Sequence, residues 1–247
     1  MSEPKKLTEA PMNFKEAIDW VLSLGEKDKS SVINDSYVTM SLRYILNEAT
    51  EMKDFYDKMN KDVSSPVVRL AYALQKFIGY QWVEESDSYK WKIGENGIVQ
   101  KDSSYNSTYG SSKWHNDIHS ADYDGSKRRS GVHSFFTAIA FIYEGLTELF
   151  FKCKTEWSEK SLNGNSSDAL HKFMTTNGFS DTQLNTNMKG DEITSQAFQS
   201  LTEFTTAYNS AGQEPSLDTF RSQLEQNAMS NPSESPLSAL YLLATYA

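Results

Sequence analysis

The segment Val132–Phe151 is apolar on nearly every side of a helix, with Phe135, Phe136, Ile139, Phe141, Ile142, Tyr143, Leu146, Leu149, Phe150 and Phe151 among its residues. Such a segment either crosses a bilayer or fills the middle of a core. Glu144 and Glu148 lie inside it one helical turn apart. Each carboxylate costs about 2.5–3.5 kcal/mol at a bilayer centre, more than several Phe or Ile return. The expectation is therefore a buried central helix and no membrane span. The two glutamates should line one strip that reaches solvent or a basic partner.

Other segments supply helices to pack around it. After Pro11, Asn13 is placed to cap a helix with Phe14, Ala17, Ile18, Val21 and Leu22 on one face and Gly25 as its stop. From about Asp35 to Asn60, Val38, Leu42, Ile45, Ala49, Met52, Tyr56 and Met59 step alternately by four and three, a heptad stripe on a long helix. Ser65-Pro66 starts a third, with Val67, Leu70, Ala71, Leu74, Phe77 and Ile78 running to Gly79. Shorter helices follow from Ser167 with Leu170, Phe173 and Met174 and Gly178 beyond its end, from Asp191 with Ile193, Ala197, Phe198, Leu201, Phe204 and Tyr208 before Gly212, at Ser216–Met229, and from Ser235-Pro236 to the last residue. An apolar helix at the end suggests a chain cut from a longer protein or a helix docked into the core. The fold class expected is mostly α: an antiparallel, bundle-like helical domain over 1–247 with one long irregular, aromatic-rich insertion at 84–130.

Within that insertion the helical period disappears and Ser, Tyr, Asn, Asp and Gly dominate, which favours turns and loops. Tyr89, Trp91 and Ile93 alternate with lysines before Gly94-Glu95-Asn96-Gly97 and Ile98-Val99, predicting a small hairpin. Trp91, Tyr105, Tyr109, Trp114 and Tyr123 stand among small polar residues, a mixture that suits a binding loop because rigid rings give contact area at low entropic cost. The alternative is that these rings anchor the loop onto the helices.

Catalytic signatures are sparse. His115 and His119 have the four-residue spacing of a zinc pair, but the glutamate of a zinc hydrolase and a third ligand are missing, so two exposed loop histidines is the preferred reading. A metal-dependent enzyme using His115 and His119 is the competing one. Asp122-Tyr123-Asp124-Gly125 opens like a calcium loop and then turns basic at Lys127-Arg128-Arg129, a cluster expected to be solvated and open to proteases. Cys153 lies between Lys152 and Lys154, which would lower its pKa if exposed; a buried structural thiol is preferred. No nucleophile elbow or phosphate loop occurs. No catalytic residue, metal or cofactor is assigned. The balance of 24 basic against 33 acidic residues, net −9, repels nucleic acid and anionic lipid. One cysteine excludes an internal disulfide, and no secretory signal leads the chain. Asn106-Ser107-Thr108 and Asn165-Ser166-Ser167 fit the glycosylation pattern.

Several segments together resemble one family. Leu7-Thr8-Glu9-Ala10-Pro11-Met12-Asn13-Phe14-Lys15-Glu16-Ala17-Ile18-Asp19-Trp20-Val21-Leu22 is similar to the amino-terminal signature of the variant erythrocyte surface antigens of Babesia parasites. In the same order follow Ile78-Gly79-Tyr80, the Tyr105-to-Trp114 loop, Ile142-Tyr143-Glu144-Gly145-Leu146-Thr147, Phe173-Met174 with Gly178-Phe179, Leu184-Asn185, and Pro236-Leu237-Ser238-Ala239-Leu240-Tyr241-Leu242. The resemblance implies an exported protein of the infected erythrocyte, used in antigenic variation, immune evasion and cytoadhesion. Its partners would be a host cell-surface protein and host antibodies, and through the heptad stripe a second antigen subunit. Members of the family carry many cysteines in the irregular region and end in a membrane anchor, whereas this sequence has Cys153 alone and no such anchor. That leaves open a related secreted antigen without an adhesion role.

Overall fold

The computed structural model describes residues 5–25, 35–46, 64–85, 88–101, 105, 107–109, 125–163, 168–201, 216–230 and 236–245. It is mostly helical. In chain order the elements are α1 (Phe14–Gly25), α2 (Asp35–Leu46), α3 (Ser64–Ile78), β1 (Tyr80–Glu85), β2 (Ser88–Ile93), α4 (Gly125–Thr155), α5 (Ala169–Thr176), α6 (Leu217–Ser230) and α7 (Pro236–Ala244). A helical turn at Gly190–Glu192 runs into a π-helical turn at Ile193–Ala197, where the expected α period gives way and the Phe198 N–H reaches back to the Ile193 carbonyl.

The apolar segment is the middle of α4, which packs on α1, α2 and α7. From Arg129 to Thr155 this helix is long and apolar enough to cross a membrane. Here it lies in the core instead: Phe135, Ala138, Ile139, Ile142, Leu146, Leu149 and Cys153 are buried, while Glu144 and Glu148 keep to an exposed strip, and Arg221 of α6 donates to Glu144 at 3.1 Å. The helix starts earlier than the sequence suggests. Its first turns, Gly125 to Ser130, are polar, and Ser126, Lys127, Arg129 and Ser130 are exposed, so no apolar period marks them. The basic cluster therefore sits on a helix and not in an open loop, and the irregular insertion ends before 125 rather than at 130.

Helix ends follow the local chemistry. The Asn13 side chain accepts from the Glu16 N–H at 2.9 Å, the N-cap that orphaned first-turn donors require. Gly79 ends α3 with φ +116°, a backbone state that suits glycine. Gly97 lies against it so closely that a Cβ there would overlap the Gly79 backbone and the Ile78 carbonyl.

Two expectations change. Tyr89–Ile93 does form a hairpin strand, but its partner lies upstream: Tyr89 to Ile93 pair antiparallel with Glu84 back to Tyr80. Ile98 and Val99 instead run beside the end of α3, and Val99 bridges Leu184. Ile93, Ile98 and Val99 are buried, so part of the supposed insertion belongs to the core. The heptad stripe is also spent internally. Val38, Leu42 and Ile45 of α2 are buried in a helix that packs on α1, α3 and α4, so these three positions of the stripe face the chain's own core. Ala49, Met52, Tyr56 and Met59 lie outside the described residues.

Candidate recognition surface

Helix α1 is not the one-sided helix its pattern suggests. Of its polar positions only Glu16 is partly exposed, and Lys15, Asp19 and Ser23 are buried with the apolar residues. A buried charge needs a partner and further hydrogen bonds. Lys15 Nζ lies 2.7 Å from Asp19 Oδ2, one turn along the helix, with the two side chains 6% and 0% exposed. The remaining valences of Asp19 come from far along the chain: the Tyr105 hydroxyl donates to Oδ1 at 2.7 Å and the Thr108 N–H to Oδ2 at 2.8 Å. The Lys15 ammonium also stands 4.8 Å from the centre of the Tyr105 ring, in cation–π range.

Tyr105 and residues 107–109 thus form a strap laid across α1, and the amino-terminal arm lies beside it. The Lys5 N–H donates to the Thr108 carbonyl at 2.8 Å, and Lys5 bridges Tyr109 in parallel. Lys5 Nζ pairs with Glu16 at 2.6 Å, and the Trp20 indole N–H donates to the Leu7 carbonyl at 3.0 Å.

These contacts place two of the five aromatic candidates, Tyr105 and Tyr109. Tyr109 is 2% exposed and its hydroxyl donates to the Glu9 carbonyl at 2.9 Å, so it anchors the strap and offers no surface to a partner. Burial, reinforced by the carboxylates of Glu16, Glu9 and Asp19, pushes its hydroxyl well above the usual tyrosine range. Tyr105 is half-buried, its ring edge-on to Tyr80 at 6.3 Å and its hydroxyl taken up by Asp19. Trp91 stands on β2 at the register position opposite Trp82. Trp114 and Tyr123 lie outside the described residues, as do His115 and His119. Among the described residues no group of three or more His, Cys, Asp or Glu is placed to hold a metal ion. Cys153 is fully buried, and that burial pushes its thiol up, so the flanking lysines do not activate it.

Sequence reasoning missed Lys15 and Asp19. The signal was present, a Lys and an Asp at i,i+4 within an otherwise apolar helix.

On the opposite side of α4, a shallow groove of about 200 Å³ is lined by Ala140, Tyr143, Glu144, Tyr241, Ala244 and Thr245. Tyr143 and Tyr241 meet edge to face at 5.7 Å, and the half-exposed Phe141 lies on the same outer side of α4 as Glu144.

No family model, curated protein or solved structure matches this chain.

Proposed function

We propose that this chain is the recognition domain of an exported variant surface antigen, presented at the infected red-cell surface or secreted, which binds a host cell-surface protein or antibody and turns over no substrate. One observation supports the reading most: the segments that resemble the Babesia antigens meet in the interior. The Phe14 ring contacts Phe77, beside Ile78, and Phe179, each at 6.3 Å. Gly145 gives that ring its space, since a Cβ there would strike it, and Gly178 does the same for the Asn13 amide. The Lys15 N–H donates to the Asn177 carbonyl at 3.0 Å. The Asn185 amide holds the Glu95 and Gly97 carbonyls at 3.0 and 3.1 Å, and Asp19 holds the strap.

An antigen that varies needs an interior that does not and a surface that can. Here Phe14, Gly145, Asn185 and Asp19, all within the family-like segments, do internal packing. Positions such as Phe141, Glu148 and the exposed residues around the hairpin are available for change at small cost, usually within about 0.5 kcal/mol at surface sites. Adhesion would rest on the remaining aromatic candidates, Trp91 and Trp114.

The test is binding of purified chain to endothelial and red-cell surfaces, with a Trp91→Ala/Trp114→Ala variant alongside. A ring acting as a hot spot is worth about 2 kcal/mol or more, roughly a 30-fold loss each. Full binding by the variant removes these rings from the reading. Stoichiometric zinc with hydrolytic turnover would overturn it altogether.

A further inference from the structure

We propose that Asp19 is a latch that couples the amino-terminal arm to the strap, so that residues 5–9 dock on α1 together with Tyr105 and residues 107–109 as one unit and leave it as one unit. The two segments are remote in sequence. What joins them is Thr108, whose N–H is held by the Asp19 carboxylate and whose own carbonyl, in the next peptide group, receives the Lys5 N–H. The same two segments meet again at the Tyr109 hydroxyl, which donates to the Glu9 carbonyl.

Asp19 is well placed to control this. It is fully buried and accepts from Lys15, Tyr105 and Thr108 at 2.7, 2.7 and 2.8 Å, all charge-assisted bonds. Among the described residues, the arm reaches Asp19 through the strap. Its own ties to α1 include the part-buried Lys5–Glu16 pair and the Leu7 carbonyl on the Trp20 indole. Losing the Asp19 contacts frees the Thr108 peptide and with it the Lys5 acceptor. By reciprocity, loss of the Lys5 bond must loosen the Thr108 amide, although nothing at Asp19 has changed. Processing or engagement of the arm would in this way alter how the strap is presented.

Amide hydrogen exchange on the full chain reads the coupling without any binding partner. In Asp19→Asn, which keeps shape and removes charge, exchange at both Thr108 and Lys5 should rise about tenfold or more while amides of α4 and α7 keep their rates. Lys5→Pro, which deletes the arm's donor together with the Lys5–Glu16 pair, should raise exchange at Thr108, whereas Lys5→Met, which removes the pair and keeps the donor, should leave it unchanged. A variant of Tyr105→Phe gives the same reading if Asp19→Asn does not fold, because Lys5 touches none of the atoms it removes. A rise at Thr108 with Lys5 unchanged, or an unmoved Thr108 amide in Lys5→Pro, would overturn the proposal.

Discussion

Replacing Phe14 with alanine is expected to destabilise the chain by about 3–5 kcal/mol, the range for a large ring removed from a core that cannot collapse around the void. In a chain of this size that corresponds to a fall of roughly 6–20 °C in melting midpoint. Phe14 is fully buried and lies against Phe77 of α3, Gly145 of α4 and Phe179 in the loop after α5, which cannot all close inward at once. Met12, two residues earlier and 75% exposed, is the control, and its replacement by alanine should stay within about 0.5 kcal/mol. Urea unfolding of the two variants decides the matter. A Phe14→Ala cost below that of Met12→Ala would mean that the signature segment is not the hub of the interior.

The second large effect is electrostatic. Lys15→Met keeps most of the volume and removes the cation from a buried pair, leaving the Asp19 carboxylate with hydrogen bonds but no countercharge. Breaking a buried pair from one side costs about 3–5 kcal/mol. Lys152 and Glu156 have the same i,i+4 spacing and a 2.6 Å separation, with side chains 28% and 56% exposed. Because solvent screens that pair, Lys152→Met should cost only about 0.3–0.5 kcal/mol. Equal costs for the two substitutions would show that water reaches Lys15 and Asp19.

Much of the helical framework is legible in the sequence because its signals are local. Asn13, Ser65-Pro66, Gly79 and Gly178 mark helix ends by cap chemistry, and the paired glutamates of α4 argue against a bilayer-facing helix by their charge and spacing alone. What escapes is carried by distant partners. Lys15 and Asp19 look like the solvent face of α1 because the groups that satisfy them, Tyr105 and Thr108, lie more than eighty residues away. The hairpin is assigned the wrong partner for a related reason. Gly94 to Gly97 reads as a turn, yet Gly97 is needed where two backbones touch, at Gly79, and the strand that pairs with Tyr89–Ile93 ends just before Ser86-Asp87. The aromatic candidates divide on the same ground. A tyrosine hydroxyl that finds a buried carboxylate or carbonyl becomes an anchor, and composition alone does not distinguish it from a contact ring.

The most direct test of the account is where the chain is displayed. Antibody raised against the purified protein, applied to intact infected red cells and to cell-free medium, should label unpermeabilised cells or detect the antigen outside them. Antigen found only after permeabilisation, and confined within the parasite, would contradict an exported recognition protein.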